Sequence, residues 1–339
     1  MRGIHKTYCN PTFLDEIIKG RKNSSSHSIA YNMLNKLSDI IVDLPQEELK
    51  KRIQSNEVYN RLNKRENRSF RSKEWIKTFS PDNICDDVFL INQGDIKDYK
   101  KIRQEYGCLI ISNEPNDLKS FERYAKGHPF NLVPKSERIS DPTIKYHDGW
   151  NQFFEEFKMT PLNAIIITDN FMFGSNFEKR KEKSLFAILR SIAPKDLKQD
   201  FQITIFFNND PDKRSGSLPL SKEKAEKLIE EIKGLNLCDS VKITIVAHTL
   251  KSTTHDRELI SNYHYMNTGV GFSVVDDTGV REVAKGQVQH VFCDMDSYVT
   301  VKQLQAQSVM WLKMIFDGEK GRDAQYSYIV GDKENRLFY

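Results

Sequence analysis

The second half of the chain alternates between short apolar segments and amphipathic segments, and this alternation constrains the fold more than any other feature. Apolar runs at 163–168, 201–208 and 241–248 have the length and the β-branched content of buried strands. Amphipathic runs at 184–193 and 221–234 lie between them. Strands that alternate with helices form largely parallel sheets with helices packed on them. The sequence therefore predicts an α/β fold for this half.

The stretch after residue 250 changes character. It predicts strands at 258–265, 271–275 and 289–293, separated by turns rich in Gly or Asp, and a closing helix at 299–316. A further amphipathic helix is predicted at 150–157, before the first strand of this half. The whole is expected to form a mixed sheet flanked by helices.

The first half is predicted to be helical or α/β. Apolar residues at helical spacing predict helices at 28–44 and 46–65. Apolar runs predict strands at 87–92 and 107–112, and a helix at 95–106 separates them.

Two domains are expected, because 339 residues exceed the usual size of a single hydrophobic core. The segment 127–142 contains three prolines and shows no periodicity, which is typical of a linker or a surface crossing. We place the boundary near residue 140, which gives a basic N-terminal domain at 1–140 and a second domain at 141–339.

The composition predicts a folded protein, and two absences suggest the cytoplasm. No run approaches the roughly 18 apolar residues of a membrane-spanning helix, and the first residues lack the apolar core of a signal peptide. We therefore expect a cytoplasmic location, with a membrane among the less favoured partners. The five cysteines are far apart and form no C-x-x-C pair, so we expect reduced thiols, no metal and no cofactor.

Positive charge is concentrated at the start of the chain. Residues 1–80 carry 16 Lys and Arg against 9 Asp and Glu, whereas the remainder carries 35 against 38. The densest basic stretch, 61–77, includes Phe70 and Trp75. Such a pattern suits nucleic-acid binding, but it also suits a solvated basic helix that docks through its two aromatic residues, and we favour docking.

One constellation has the residue types of an anion site. His255 and Arg257 are two residues apart at the start of a predicted strand, so they share a face with Leu259. Gly269 and Gly271 follow, and glycines let a backbone approach an anion closely. Alternatively, His255 and Arg257 belong to a structural cluster in which the intervening Asp256 pairs with the arginine.

This spacing resembles the H-x-K-x4-D-x6-G-S motif of the phospholipase D superfamily. Arg257 stands at the lysine position, Asn262 at the aspartate position and Val270 at the serine position. The chain is most similar to the non-catalytic phospholipase D-like C-terminal domain of microtubule-interacting-and-transport (MIT) proteins. The features that carry this second resemblance are the tetrad from His255, the Gly269–Gly271 turn, the Cys293-Asp-x-Asp segment and the dipeptide Asp169-Asn170. The resemblance covers about residues 160 to 316.

In catalytic members of the superfamily two such motifs meet, and one histidine attacks phosphorus while the other protonates the leaving group. The resemblance implies His255 as nucleophile or acid, Arg257 as the phosphate clamp and Asn262 as a lesser catalytic partner. The residues that it implies for ligand binding are Asn267, Gly269, Gly271, Asp169 and Asn170. Only one motif is evident, since His248 lacks a lysine at the required spacing, so a complete site would pair His255 residues in a homodimer.

The expected function is to bind a phosphodiester, with nucleic acid ahead of lipid. Hydrolysis is left open; the enzyme would be a nuclease of the phospholipase D type, acting in a bacterial antiviral-defence or mobile-element setting. The alternative is a non-catalytic adaptor that binds a protein partner or an anionic membrane, as the MIT domain does.

Other candidate residues carry weaker signals. His264 is predicted to be a satisfied or surface imidazole rather than a ligand, and Asp294 and Asp296 are predicted to cap turns rather than to hold a metal. An acidic metal site of a PIN-like nuclease remains an alternative for the first half. Its residues would be Asp15, Glu16, Asp86 and Asp87.

Overall fold

The chain divides into two compact units. The computed structural model describes residues 5–81, 87–159, 161–170, 172–174, 176–210, 219–249, 257–316 and 326–338. Unit 1 comprises Met1–Gly127 together with Gln289–Lys302, and unit 2 comprises His128–Val288 together with Gln303–Tyr339. Helices and strands occur in both units, which confirms the predicted α/β class.

Unit 1 contains a five-stranded parallel sheet whose strand order reverses at its first strand. The strands are β1 (His5–Cys9), β2 (Ser38–Val42), β3 (Phe70–Ser72), β4 (Val88–Ile91) and β5 (Leu109–Ser112). β1 pairs with both β2 and β4, and the order across the sheet is β3-β2-β1-β4-β5. This is the order of a doubly wound sheet, in which ligands bind beyond the carboxyl ends of the strands at the reversal.

The helices of unit 1 connect these strands. They are α1 (Pro11–Gly20), α2 (Ser25–Leu37), α3 (Gln46–Ser55), α4 (Glu57–Asn63), α5 (Tyr99–Tyr106) and α6 (Pro115–Lys126). The start of α1 shows how the sequence sets them: the Asn10 side chain accepts hydrogen bonds from the backbone N–H groups of Thr12 and Phe13, at 2.8 and 3.3 Å. An asparagine N-cap followed by proline at the first helical position is a strong helix start.

The predicted helix at 28–44 is wrong from residue 38 onward, because α2 ends at Leu37 and β2 begins at Ser38. The β-branched residues that looked like the continuation of a helix lie in the strand instead. The Arg65 guanidinium donates to the carbonyl oxygens of Asn35 and Ser38, at 3.4 and 2.8 Å, and also to that of Leu34. A cation from a distant segment therefore satisfies the carbonyl end of α2.

Unit 2 is built on an eight-stranded mixed sheet of order β15-β9-β8-β7-β10-β11-β14-β6. Its strands are β6 (His128–Leu132), β7 (Ala164–Thr168), β8 (Phe201–Asn208), β9 (Val241–His248), β10 (Glu258–Ser261), β11 (His264–Asn267), β14 (Ala284–His290) and β15 (Tyr328–Gly331). β7, β8 and β9 are parallel neighbours, whereas the pairs β15–β9, β7–β10, β10–β11 and β14–β6 are antiparallel. A separate two-stranded ribbon contains β12 (Val275–Asp276) and β13 (Gly279–Val280).

Helices of unit 2 contribute buried side chains to the same hydrophobic core as the strands of this sheet. They are α7 (Trp150–Phe157), α8 (Phe177–Arg180), α9 (Leu185–Ile192) and α10 (Lys222–Lys233), and α11 (Met295–Phe316) follows β14 in the chain. Every residue of β7 and β8 is buried, as expected for strands that are covered on both faces. The repeated strand and helix of the sequence are therefore confirmed, with the predicted bounds of α7, β8 and β9 matched to the residue.

The strands predicted after residue 250 are only partly correct. The segment predicted as one strand at 258–265 is a hairpin, β10 and β11, whose turn begins at Asn262. The segment 271–275 lies outside the main sheet, and the strand predicted at 289–293 is instead β14, which ends at His290. β14 pairs with β6, which lies in the proline-containing segment 127–142.

His264 is a buried imidazole at the start of β11. Its Nδ1 lies 2.8 Å from the Ser261 hydroxyl oxygen, which also accepts from the backbone N–H of His264. Burial, and to a lesser degree the charge of His128, lowers the pKa of His264 to about 3. A histidine that is held neutral in the folded state favours unfolding in acid, because the unfolded chain binds the proton first.

We predict that the free energy of unfolding falls as the pH decreases below about 6.5, the pKa of an unperturbed histidine. The His264 contribution at pH 5 is about 2 kcal/mol, by proton linkage between the two pKa values. Urea unfolding at pH 7 and pH 5 measures it, with His264→Gln as the non-titrating control. A variant that loses stability in acid as steeply as the wild type would contradict this assignment.

Candidate functional site

Four strand ends of the eight-stranded sheet meet at one edge, which we call the carboxyl edge. Because β7, β8 and β9 are parallel, they end on the same side, at Thr168, Asn208 and His248. β10 is antiparallel to β7 and begins there, with Glu258 opposite Thr168. Ligands of open α/β sheets bind outside the carboxyl ends of the strands. The fold therefore gathers at this edge the side chains that follow each strand.

The carboxyl edge is lined by polar side chains that are almost completely buried. Asp169 and Glu258 keep 1% and 2% of their accessible surface, and His248 keeps none. The amides Asn170 and Asn209 are buried as well. Burial of ionisable groups is costly without compensating contacts, whereas a few converging polar groups are typical of ligand sites.

Asp169 ties the end of β7 to the Gly269–Gly271 turn. Its Oδ2 accepts a hydrogen bond from the backbone N–H of Phe272 at 3.0 Å. A Cβ at Gly271 would lie 3.0 Å from the same oxygen, and the φ of Gly271 is +104°. Both the close approach and the positive φ require glycine here.

The backbone N–H groups of this turn are already engaged within the protein. Gly269 N donates to Asn267 Oδ1 at 2.8 Å, and Gly271 N donates to Thr268 Oγ1 at 3.1 Å. Val270 N donates to the Thr268 carbonyl at 2.8 Å. The turn is thus a self-satisfied support, and it does not present the row of free N–H donors that forms an anion nest.

The same turn holds Arg257. The Thr268 backbone N–H donates to the Arg257 carbonyl at 3.0 Å, and Arg257 Nη1 donates to the Gly269 carbonyl at 2.5 Å. Arg257 is partly exposed, unlike the buried groups around it. A planar guanidinium at the margin of a polar site suits bidentate contact with a phosphate or carboxylate.

Glu258 directs its carboxylate along the hairpin. The Tyr265 hydroxyl donates to Glu258 Oε1 at 3.0 Å, and Asn267 Nδ2 lies 3.5 Å from the same hydroxyl. Tyr265 and Asn267 are alternate residues of β11, so they lie on one face beside Glu258. This row extends the carboxyl edge onto the hairpin.

His248 lies at the carboxyl edge, although it is not part of the sequence motif. Its ring stacks on Trp311 of α11, with the ring centroids 4.5 Å apart. In the sequence, His248 is a candidate only for the start of a second copy of the His255 motif. The spacing to the next lysine excludes that role. The signal that points to it is its place as the last residue of a parallel strand, directly after the buried residues 243–247.

The structure brings most of the predicted site residues together. Arg257 and the five residues predicted for ligand binding meet at the carboxyl edge, these being Asn267, Gly269, Gly271, Asp169 and Asn170. His255 lies outside the described residues. Asn262 is at the opposite end of β10, about 16 Å from Arg257 for five residues of extended chain.

Asn262 has a structural task at that opposite end. Its Oδ1 accepts from the backbone N–H groups of Asn163 and Ala164, at 2.9 and 3.0 Å. These contacts fix the start of β7 to the turn of the hairpin. The spacing of the motif is thus present in the sequence, but its third polar residue is not at the carboxyl edge.

The acidic residues of the alternative PIN-like site have different hydrogen-bond partners within unit 1. Asp15 accepts from Arg52 and from the Tyr59 hydroxyl, both at 2.8 Å. Glu16 lies 3.4 Å from the Asn113 amide, and Asp86 is outside the described residues. Among the residues that are described, no three His, Cys, Asp or Glu side chains are grouped as a metal site requires.

At the strand-order reversal of unit 1, the polar side chains hydrogen-bond to one another. Asp95 Oδ2 accepts from Asn10 Nδ2 at 2.8 Å and from the backbone N–H of Asn92 at 2.7 Å. Asn92 Nδ2 donates to Asn10 Oδ1 at 3.0 Å. This triad joins the ends of β1 and β4, so the side chains there support the sheet.

The basic stretch at 61–77 does not dock as a helix. Phe70 lies in β3, and both Phe70 and Trp75 are buried, so the aromatic residues pack as expected but on a strand and a following segment. Arg71, Lys73 and Lys77 remain exposed.

Comparisons with known proteins add no assignment: no family model matches the chain, and no curated protein is significantly similar to it. No helix within the described ranges combines the length and apolar character needed to cross a membrane.

Asp294 accepts from the backbone N–H of Ser297 at 2.7 Å and so caps α11.

We predict that Asn262→Ala destabilises unit 2 but leaves ligand binding at the carboxyl edge within about twofold. The substitution removes the acceptor of two buried N–H groups, which costs about 1–3 kcal/mol for each group left unsatisfied. Thermal unfolding and titration with a labelled oligonucleotide measure the two effects, and Asn262→Asp, which keeps Oδ1, is the matched control. Full stability combined with lost binding would place Asn262 in the site instead.

Proposed function

We propose that this protein binds a phosphodiester ligand, nucleic acid ahead of lipid, through Arg257 at the carboxyl edge of unit 2. The observation that carries the proposal is the position of this arginine. Its backbone and its guanidinium are both held by the 268–269 turn, at the edge where the ends of β7 to β10 collect polar side chains. Arginine delivered by a fixed turn is pre-organised, so less freedom is lost when it contacts a phosphate.

The proposal includes a phospholipase D-like arrangement for unit 2. Its support is the order of features along the chain: a strand that ends just before Asp169, a strand that begins after Arg257, a glycine turn and a capped last helix. Within residues 1–80, Lys and Arg outnumber Asp and Glu, which adds an attraction to nucleic acid that does not depend on its base sequence.

Binding without turnover is the form of this function that the geometry favours. In catalytic members of the superfamily the motif's polar residues act on one phosphate, whereas here Asn262 is fixed at the far end of β10 by two backbone N–H groups. Hydrolysis would depend on His255 and on a second histidine, which a homodimer would supply. The adaptor function, with a protein or an anionic membrane as ligand, uses the same Arg257 contact.

We predict that Arg257→Ala weakens binding of a labelled single-stranded oligonucleotide by about tenfold at moderate salt. One phosphate contact is lost, so the slope of log K against log salt should decrease by about 1. Fluorescence anisotropy over a range of salt concentrations measures both quantities, and Arg257→Lys should retain the slope while losing part of the affinity.

Arg190→Ala is the matched control, because Arg190 is a half-exposed arginine of unit 2 on α9, paired with Glu182 at 3.0 Å. It should change neither affinity nor slope. Equal losses in the two variants would indicate a general charge effect and refute a site at Arg257. Binding to anionic liposomes with none to oligonucleotide would instead establish the membrane adaptor.

We predict that the wild type does not cleave DNA or RNA as a monomer, with or without divalent metal ions. The test is an electrophoretic cleavage assay on size-separated monomer and dimer fractions, with His255→Ala and His248→Ala run beside the wild type. Cleavage without metal that disappears in His255→Ala would establish the phosphodiesterase and contradict the binding-only form.

A further inference from the structure

Unit 1 contains a second candidate ligand site, a small pocket lined by aromatic rings. The cavity measures about 190 Å³, and its lining includes Tyr8, Trp75, Phe79, Phe89, Lys73 and Asp87. We call it the aromatic pocket. It lies within unit 1 and shares no residue with the carboxyl edge of unit 2.

The sheet fixes one wall of the aromatic pocket. Tyr8 on β1 and Phe89 on β4 are paired residues of neighbouring parallel strands, so their side chains project from the same face. Their rings are stacked, with centroids 4.9 Å apart and planes 11° apart. A stacked pair on a sheet face is a flat apolar surface.

The segment after β3 builds the other wall. Asp43, which follows β2, accepts from the backbone N–H groups of Trp75 and Ile76, at 2.5 and 3.0 Å. The 3-10 turn Ile76–Thr78 then places Phe79 edge-on to Phe89, with centroids 5.4 Å apart. Trp75 also meets Phe89 edge-on at 5.5 Å. Two hydrogen bonds to Asp43 and the ring contacts with Phe89 therefore position this wall of the pocket.

The rings that line the pocket differ in exposure. Trp75 and Phe89 are 3% exposed, whereas Tyr8 and Phe79 are only partly buried. The indole N–H of Trp75 donates to no acceptor among the described residues. The pocket wall thus combines two accessible ring surfaces with a buried donor that a ligand acceptor would satisfy after a shift of the indole.

Charged groups stand beside these rings. Lys73 is exposed on the pocket lining, and Arg71 is exposed two residues before it. Burial raises the pKa of Tyr8; the Asp87 carboxylate raises it further, and the Arg71 guanidinium opposes both. Both charges therefore lie within electrostatic range of the Tyr8 hydroxyl, which stays protonated at neutral pH.

These features favour a planar heteroaromatic ring that carries a phosphate. The volume is below the roughly 300 Å³ of sites for drug-sized molecules, so a single ring system fits better than a larger ligand. Aromatic pockets also bind methylated ammonium groups, but two neighbouring cations disfavour a positively charged ligand. Bases stack on aromatic side chains while cations hold the attached backbone, which is the usual mode of single-strand binding.

We propose that the aromatic pocket binds one nucleobase, with the phosphate attached to it held by Lys73 and Arg71. The base stacks against the exposed surfaces of Tyr8 and Phe79, and polar edges of the base meet Asp87 and the Tyr8 hydroxyl. A strand and a free nucleotide present the same chemistry, and the assay below separates them. The pocket does not depend on the Arg257 site.

The test compares a labelled 12-nucleotide single strand with the same strand made abasic, using the full chain. The wild type should bind the strand with bases more tightly, by about 5- to 150-fold for one stacked base. Phe79→Ala should remove this preference and leave affinity for the abasic strand unchanged. Lys73→Ala should weaken both strands, because it contacts phosphate.

Two controls match these variants within unit 1. Tyr31→Ala removes a partly buried aromatic residue that is not part of the pocket lining, and Lys64→Ala removes an exposed lysine of the same basic stretch. Neither should change the ratio of the two affinities. Phe79→Leu, which keeps the apolar volume, serves if Phe79→Ala does not fold, and it should lose most of the preference because stacking needs a ring.

Several outcomes separate this proposal from the function assigned to Arg257. Arg257→Ala should weaken both strands and leave their ratio unchanged, and titration with a mononucleotide in that variant should still quench tryptophan fluorescence if free nucleotides are bound. Mononucleotide binding that depends on Phe79 identifies a nucleotide ligand, and binding of the strand alone identifies single-stranded nucleic acid; both support the pocket. Equal wild-type affinity for the two strands, or binding of choline without binding of bases, would overturn it.

Discussion

Coverage of a parallel sheet on both faces is the constraint on which the rest of this structure depends. A strand buried on both sides has no place for polar side chains along its length, so β7 and β8 are buried at every position. The exceptions need dedicated partners: Asn335 donates to the Ile165 carbonyl at 2.9 Å and to the Thr204 hydroxyl at 3.0 Å. Other buried polar groups collect at the strand ends, as Asp169 and Glu258 do in unit 2 and Asn10 does in unit 1.

That constraint also explains how much of the fold was readable from the sequence. Strands buried on both faces are continuous apolar runs, and the helices between them need one apolar face, so β8, β9 and α7 were predicted to the residue. The errors occur where apolar residues have helical spacing but are of types that prefer β-strands. Ile40 and Ile41 continue the helical spacing of α2, yet they are β-branched and lie in β2, because the carbonyl end of α2 is satisfied by Arg65, a residue about 30 positions away.

The candidate site was less predictable than the fold. A sequence motif fixes only the spacing of residues along the chain, whereas a site depends on which strand ends the sheet register brings together. Asn262 lies five positions after Arg257, and that spacing alone does not tell which strand ends the two residues occupy. They flank β10, whose length holds them at opposite ends, about 16 Å apart. The converse holds for His248, whose sequence spacing excluded it from the motif, although the parallel register of β8 and β9 places it at the carboxyl edge.

Composition alone also overstates the positive charge that is available to a ligand. The excess positive charge of residues 1–80 suggests a broad anionic partner, but several of these cations serve the fold. Arg65 donates to backbone carbonyls, and Arg52 pairs with Asp15 at 2.8 Å. Exposed cations such as Arg71 and Lys73 lie beside the aromatic pocket. The number of phosphates that residues 1–80 can neutralise is therefore smaller than their 16 Lys and Arg residues suggest. Their contribution to specificity would come from ring stacking rather than from charge.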